Sequence, residues 1–244
     1  MTALTPPAWR VFKQIFAEHW DGFTCAYPRY KTRDYAGLVE QMLGCGDPEK
    51  MGYIAYRCLH CGEGTHRVAM SCQSSLCLRC AKVSVDNWVS QVSTMRHEGV
   101  IYRHSVLTMP AMLSHTFSQH AKDVLSPFMR CGVRCLDDVW SCLSGQSLTG
   151  GYIVVMQTHG RNGQYNPHLH LIATSGGWEP QAKQWRHLDD VPYRMLRKKW
   201  QWPLLTMLRQ TVKSKEIHRL VDACYTRYRE GFVTKVHKGD VPAR

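Results

Sequence analysis

Long hydrophobic runs are missing from this sequence. No stretch approaches the roughly 18 apolar residues of a membrane-spanning helix, so a membrane partner is not expected. The first residues, Met1–Pro7, also lack the basic cluster and apolar stretch of a secretory signal. Neither internal repeats nor low-complexity tracts occur. We therefore expect a cytoplasmic globular protein whose 244 residues form one or two domains.

Acidic side chains are also scarce. The chain has 19 Asp and Glu against 31 Lys and Arg, which gives a formal net charge of +12. The excess lies in residues 151–244, where sixteen basic side chains stand against seven acidic ones. A basic half-chain in a cytosolic protein usually indicates a polyanionic partner, such as a nucleic acid whose phosphates attract Lys and Arg. Solvated helix faces carry such charge too, so the pattern needs support from a motif.

The eleven cysteines are unevenly spaced, with five of them between positions 58 and 80. Paired spacing in a cytosolic chain indicates metal binding rather than disulfides. Two Cys-x-x-Cys pairs on a short hairpin supply the four thiolates that tetrahedral zinc requires. We predict a structural Zn²⁺ on Cys58, Cys61, Cys77 and Cys80, with Cys72 and His66 as substitute ligands. The alternative is a set of reduced core thiols.

His168 and His170 lie two residues apart inside an apolar, strand-like segment, Tyr165–Ile172. In a strand, residues i and i+2 point to one face, so both imidazoles can reach a single metal ion while Leu169 and Leu171 face the core. The alternative is a pair of core histidines that form hydrogen bonds with their neighbours.

The preceding segment, Tyr152–Gln157, is also strand-like, and Asn162-Gly163 favours a type I′ hairpin turn. Pairing outward from that turn places Gln157 opposite His168, which makes Gln157 a candidate third ligand or a support for the ligands. Pro167 cannot donate to the strand ladder, so a bulge there would shift the register.

Further elements follow from spacing. Trp178 and Trp185 indicate another short strand pair after Gly177. Helices are predicted at about 193–200, 204–213 and 215–229, with Pro203 separating the first two.

Five segments of the chain, 52–62, 71–72, 77–80, 102–110 and 166–177, together resemble the rolling-circle transposases of the insertion-sequence 91 family. Residues 198–201 and 204–209 resemble the helices that follow the histidine strand in that family. The His-hydrophobic-His strand is similar to the metal-binding half of HUH single-strand nucleases. The resemblance implies an α+β chain: a helical, zinc-ribbon DNA-recognition domain over residues 1–98, then an HUH-type antiparallel sheet packed with helices over 99–244. It also implies a bacterial, nucleoid-associated protein.

The resemblance further implies that His168 and His170 hold Mg²⁺ or Mn²⁺ against a scissile phosphate. A tyrosine then attacks that phosphate, so the enzyme cuts and rejoins single-stranded DNA at the element ends. Candidate DNA contacts are Arg161, Lys198 and Lys199.

The nucleophile is the point at which the sequence departs from the family pattern. Family members carry nucleophilic tyrosines on a helix well after the HUH strand, and this chain ends at Arg244, before the expected position of that helix. We therefore expect the catalytic tyrosine to be missing. Tyr225 and Tyr228 are the late tyrosines, and their spacing within an apolar helical stripe favours packing over catalysis.

Two other functions stay open. One is an inactive, zinc-dependent DNA-binding remnant or regulator of transposition. The other is a metallohydrolase, for which the nearby carboxylates are Glu179, Asp189 and Asp190.

Overall fold

The computed structural model describes residues 8–160, 164–188 and 190–237. Helices and antiparallel sheets make up these residues, which confirms the predicted α+β class. The chain divides between Arg96 and His97 into two compact units, each with its own hydrophobic cluster. None of the described helices is both long and apolar enough to cross a membrane.

The N-terminal unit is mainly helical. Its helices are α1 (Ala8–Ala26), α2 (Arg33–Gly44), the short α3 (Pro48–Met51) and α4 (Leu78–Thr94). Helix α2 begins after Thr32, whose hydroxyl accepts a hydrogen bond from the Tyr35 backbone N–H. The buried cluster of this unit is small: Met42 and three cysteines, with Phe12 and Phe16 packed against it.

A two-stranded hairpin projects from this unit. Strand β1 (Tyr53–Arg57) pairs with β2 (Thr65–Ala69) in an antiparallel register that runs from Tyr53 opposite Ala69 to Arg57 opposite Thr65. Nearly all of its side chains are exposed. Cys58 and Cys61 lie in the loop at its tip, where Gly62 and Gly64 adopt positive φ angles of 69° and 76° that close the turn.

The C-terminal unit is built on a four-stranded antiparallel sheet. Its strands are β3 (Tyr102–Thr108), β4 (Tyr152–His159), β5 (Tyr165–Thr174) and β8 (Thr234–Val236), in the order β4-β5-β3-β8. The helices are α5 (Ser114–Gln119), α6 (Ala121–Ser144), α7 (Tyr193–Thr211) and α8 (Lys215–Arg227). Strands β6 (Gly176–Glu179) and β7 (Gln184–His187) form a separate hairpin that pairs Trp178 with Trp185, as predicted.

The sheet has one covered face and one open face. On the covered face, Leu107, Leu169 and Leu171 are fully buried in the cluster that includes residues of α6 and α7. Gly132 of α6 allows this close packing, because a Cβ there would lie 2.7 Å from the Leu169 Cδ1. The alternate residues in the middle of the same strands, including His104, Val106 and His170, point to the open face and are only partly buried.

The register of the β4–β5 hairpin is as predicted. Gln157 pairs with His168, and Val155 pairs with His170. The register shifts between Gln157 and His159, at the level of Pro167, so the bulge lies on the turn side of the histidines. The Asn162-Gly163 turn lies outside the described residues.

The predicted helix break at Pro203 is wrong. Helix α7 continues through Pro203, which is buried, and its carbonyl accepts a hydrogen bond from the Cys131 Sγ at 3.4 Å. The Trp200 indole N–H donates to the Thr108 carbonyl at 2.6 Å. A proline inside a helix costs about 3 kcal/mol. The burial of a continuous apolar face outweighs that local preference: Leu196, Trp200, Leu204, Leu205 and Leu208.

The short strand β8 forms one edge of the sheet and leads to His237. The Tyr193 hydroxyl donates to the Val236 carbonyl at 2.8 Å and accepts from the Val236 N–H at 3.3 Å. Before this strand, Gly231 has a φ of 82°, and the Phe232 N–H donates to the Arg197 carbonyl at 3.2 Å. The turn at Gly231 therefore sets the path of the chain into β8.

We predict that Gly231→Ala is strongly destabilising. A Cβ at this position would overlap the backbone carbonyl of Arg197, and the left-handed backbone of residue 231 disfavours any side chain. Gly145→Ala is the matched control, because Gly145 has a φ of 68° and no atom within 4 Å of its Cβ position. In urea denaturation, we expect Gly145→Ala to lower the free energy of unfolding by about 1–2 kcal/mol and Gly231→Ala by about 3–5 kcal/mol. Equal losses would contradict the contact with α7.

Two candidate metal centres

Four cysteine sulfurs meet in the N-terminal unit, and we call them the cysteine cluster: Cys45, Cys72, Cys77 and Cys80. Their Sγ atoms all lie within 4.8 Å of one another. The Sγ of Cys80 is 3.5 Å from that of Cys45 and 3.6 Å from that of Cys72. Tetrahedral zinc with Zn–S bonds of about 2.3 Å needs sulfurs about 3.8 Å apart, so this spacing fits zinc.

Three different elements bring the cluster together. Cys45 follows the C-terminus of α2, and Cys72 follows β2. Cys77 is the N-cap residue of α4, and Cys80 lies in the first turn of that helix. The Cys72 backbone N–H donates to the Cys45 Sγ at 3.5 Å, which stabilises negative charge on that sulfur. A bound ion would therefore link the helices of this unit to the base of its hairpin.

The thiols of the cluster differ in acidity. Burial raises the pKa of Cys45, and it raises the pKa of Cys72 to about 12. Burial opposes ionisation of Cys80 as well, but hydrogen bonds from the Cys45 and Cys72 thiols stabilise its thiolate and lower its pKa to about 7. One thiolate among buried thiols is a favourable starting point for a divalent cation, which displaces the remaining protons.

The predicted zinc set and the observed cluster share only Cys77 and Cys80. Cys58 and Cys61 are exposed at the tip of the β1–β2 hairpin, and His66 is exposed on β2 opposite Tyr56. A five-residue strand spans about 17 Å, which separates the tip from the base of the hairpin. The predicted grouping of Cys58 and Cys61 with Cys77 and Cys80 is therefore corrected, because the sulfurs that meet Cys77 and Cys80 are those of Cys45 and Cys72. Cys72, predicted as a substitute, belongs to the cluster.

Cys45 is the residue that sequence reasoning missed. Its spacing from the Cys-x-x-Cys pairs is irregular, and it lies in the turn Gly44-Cys45-Gly46 that ends α2. The available signal was a cysteine between two glycines at the end of a helix. Glycines allow a tight turn there, and such a turn can bring the cysteine sulfur back toward a metal ion.

The histidine pair forms the second centre, on the open face of the C-terminal sheet. The His168 Nδ1–H donates to the Asn166 carbonyl at 2.8 Å, and a carbonyl can only accept. The His168 Nε2 therefore keeps its lone pair when the ring is neutral. The Gln157 Oε1 lies 3.0 Å from this Nε2, so two acceptors face each other. Adjacent ligands of an octahedral cation with bonds of about 2.1 Å lie about 3.0 Å apart, so Gln157 fits the role of third ligand.

His170 lies beside two histidines that sequence reasoning did not assign to the site. Its Nδ1 lies 2.9 Å from the His104 Nε2, and the His104 ring stacks on that of His237 at 4.9 Å between centroids. The His170 Nε2 is buried without a hydrogen-bond partner in the described structure. A buried ring nitrogen of this kind fits a cation ligand. The alternation of β3 was the signal for His104, because it places His104 on the face of Val106, which pairs with His170.

The electrostatics of this face favour neutral imidazoles. Burial lowers the pKa of His170, and the neighbouring His168, His104 and His237 lower it further. Burial also lowers the pKa of His104, with additional contributions from His237 and Lys235. Neutral rings keep the lone pairs that metal binding needs. Lys235 pairs with Val106 and is exposed, so it adds a positive charge to the same face.

The other predicted site residues lie elsewhere or outside the described positions. Tyr228 packs against the core of the C-terminal unit, edge to face with Phe232 at 5.6 Å. Burial raises the pKa of Tyr225, which disfavours its phenolate. Lys198 is exposed and Lys199 half-buried on α7, while Arg161 is not among the described residues.

Two family models match this chain. Residues 15–109 match the family described as "Transposase zinc-binding domain", and residues 151–238 match the family described as "Putative transposase". The chain belongs to the insertion-sequence 91 family of transposases. In this transposase family member, the zinc-binding match and the cysteine cluster together support a structural zinc.

Two curated relatives are similar to this transposase chain over part of their length. The transposase for insertion sequence element IS801 of Pseudomonas savastanoi pv. phaseolicola is 27% identical over 165 residues, which cover 67% of this chain and 38% of that protein. The "Putative transposase y4qJ" of Sinorhizobium fredii is 27% identical over 129 residues, which cover 52% of this chain and 32% of that protein. The chain thus spans about a third of these relatives. No solved structure matches it.

We predict that zinc depends on the cysteine cluster and not on the hairpin tip. Chain prepared anaerobically should contain about one tightly held zinc. Cys45→Ser and Cys72→Ser should each release it, because three thiolates hold zinc more weakly than four. The matched control is Cys58→Ser with Cys61→Ser, which removes two exposed thiols and should keep the zinc. Metal analysis by mass spectrometry measures the content. Zinc lost from the control but kept in Cys45→Ser would support the hairpin set instead.

Proposed function

We propose that this chain carries the two metal-binding parts of a transposase that cuts and rejoins single DNA strands at the ends of a rolling-circle mobile element. The observation that carries the proposal is the open-face centre. The His168 and His170 rings lie side by side there with centroids 5.1 Å apart, the Gln157 Oε1 lies 3.0 Å from the His168 Nε2, and the buried His170 Nε2 lacks a partner in the described structure. We propose the covalent chemistry for a whole transposase. This chain is similar to about a third of the length of the curated transposases.

His168, His170 and Gln157 would hold Mg²⁺ or Mn²⁺ in this centre. A divalent ion held there would supply positive charge to a phosphate oxygen and would help to align the phosphorus for in-line attack. Lys235, on the same face, adds a second positive charge for the phosphates on either side. The side chains of this face need little rearrangement, because the Asn166 carbonyl already fixes the His168 ring.

The proposed reaction conserves the energy of the phosphodiester. A tyrosine hydroxyl attacks the phosphorus, the bond to the 3′ oxygen breaks, and that oxygen takes up a proton to become a free 3′-OH. The 5′ phosphate is left as a phosphotyrosine ester, which a 3′-OH can later attack to rejoin strands without ATP. We do not assign this step to Tyr225 or Tyr228, because Tyr228 packs against the core and burial raises the pKa of Tyr225, which disfavours its phenolate.

The N-terminal unit is proposed to recognise the element end. A bound zinc can hold a unit rigid although its apolar cluster is small, so the unit can offer a rigid surface to DNA without a large core. The second candidate function is a DNA-binding regulator that lacks strand cleavage, and the packing of Tyr228 against the core supports it.

We predict that the isolated chain does not form a covalent adduct with DNA. Labelled single-stranded DNA from an element end is incubated with the chain and Mn²⁺, and adducts are resolved on a denaturing gel. A chain extended by the family's tyrosine helix should form the adduct, and His168→Ala with His170→Ala in that extended chain should abolish it.

Three outcomes would redirect the proposal. An adduct of the isolated chain that disappears in Tyr225→Phe or Tyr228→Phe would make those residues the nucleophiles. An adduct of the extended chain that survives loss of both histidines would remove the metal centre from the reaction. No adduct from the extended chain, together with tight DNA binding, would favour the regulator.

We also predict that single-stranded DNA binds more tightly than duplex, with an affinity that falls steeply as salt rises. Lys235→Ala should reduce the slope of log K against log salt by about 1, because one phosphate contact is lost. Lys122→Ala is the matched control, since Lys122 is exposed on α6, which covers the opposite face of the sheet. Fluorescence anisotropy at several salt concentrations measures both. Equal slopes for the two variants would place the DNA away from the histidine face.

A further inference from the structure

His104 of β3 touches a ring nitrogen of His170, the second histidine of the pair. Its Nε2 lies 2.9 Å from the Nδ1 of His170, and the two rings are nearly parallel, with an interplanar angle of 13°. The register of β3 with β5 sets this contact, because Val106 pairs with His170 and His104 lies two residues away on the same face. The pairing of β3 with β5 therefore fixes the contact between His104 and His170.

The hydrogen bond between two neutral imidazoles allows two proton arrangements. In the first, the His104 Nε2–H donates to the His170 Nδ1, and His170 then carries its own proton on Nε2. That nitrogen is buried and has no partner in the described structure, so this arrangement leaves an unsatisfied N–H donor. Orphaned N–H donors of this kind are rare in folded proteins.

In the second arrangement, the His170 Nδ1–H donates to the His104 Nε2. The His170 Nε2 then carries a lone pair and no proton, in the one form of the neutral ring that can bind a cation there. The same choice already holds for His168, whose Nδ1–H donates to the Asn166 carbonyl. Both histidines of the pair then keep an unprotonated Nε2.

We propose that His104 is a positioning residue of the metal centre: by accepting the Nδ1 proton of His170, it fixes the ring in the tautomer and orientation that bind the divalent ion. This inference rests on the proposed metal centre and names a residue that acts on it without touching the ion. His237 stacks on the other side of the His104 ring, with an interplanar angle of 12°. The His237 backbone N–H donates to the His104 carbonyl at 2.9 Å, which keeps the three rings in a row.

Three variants of the zinc-containing chain test this role. His104→Phe keeps a ring in the stack and removes the acceptor. His104→Gln restores an acceptor oxygen near the position of Nε2. His237→Phe is the matched control, because it changes the neighbouring ring and leaves the contact between His104 and His170 intact. His168→Ala removes one of the proposed ligands and therefore tests the metal centre itself.

The first measurement is Mn²⁺ affinity, from the electron paramagnetic resonance signal of the free ion. We expect His104→Phe to bind Mn²⁺ about 10- to 100-fold more weakly, as for other residues that orient metal-bound histidines. His104→Gln should recover most of the affinity, and His237→Phe should stay near the wild type. Wild-type affinity in His104→Phe, or a loss in His104→Gln as large as in His104→Phe, would overturn the inference.

The second measurement is the tautomer of His170 in the chain without added Mn²⁺, from ¹⁵N–¹H correlation spectra of histidine-labelled protein at a pH where the rings are neutral. We expect a proton on Nδ1 in the wild type and in His104→Gln, and a shift toward the Nε2–H form in His104→Phe. A wild-type His170 protonated on Nε2 would overturn the inference. If the wild type binds no Mn²⁺, or His168→Ala binds it as well, the proposed metal centre fails, while the tautomer still decides the role of His104.

Discussion

The alternation of side chains along β3, β4 and β5 is the constraint on which the C-terminal unit depends. One set of residues, Leu107, Leu169 and Leu171, is fully buried in the core with residues of α6 and α7. The alternate set, which includes His170 and Gln157, is thereby held on the opposite, open face. A shift of the register by one residue would exchange the two sets, burying imidazoles and exposing leucines. The apolar core therefore determines on which face of the sheet the histidine pair lies.

The N-terminal unit depends on a different kind of interaction. Its buried cluster contains Met42 and three cysteines, which is little apolar area for a unit of this length. A zinc ion held by the cysteine cluster would join α2, the base of the hairpin and α4, which are elements that apolar packing alone holds weakly. The family match to a zinc-binding domain is consistent with this reliance on metal.

Much of the fold could be predicted because it depends on local patterns. The pairing of Gln157 with His168 followed from counting back from a hairpin turn, and the structure confirms it. The continuous helix through Pro203 could not be predicted, because its buried face against α6 outweighs the local cost of proline. Three members of the cysteine cluster could be predicted from spacing: Cys77 and Cys80 as ligands and Cys72 as a substitute. Cys45 could not, because only the folded turn after α2 brings its sulfur to within 3.5 Å of that of Cys80. His104 required the pairing of β3 with β5, which links residues 66 positions apart.

The Tyr193 hydroxyl affects whether the edge of the sheet can pair with a strand from another chain. Strand β8 is an edge strand, and the outward N–H and C=O of Val236 would be free to pair with a strand from another molecule. Both groups bond to that one hydroxyl, at 3.3 and 2.8 Å. This edge is therefore blocked against strand addition at Val236 by a single side chain from α7. Among the described strands of this sheet, β4 is the other edge, which a strand from a neighbouring chain could pair with without displacing this hydroxyl.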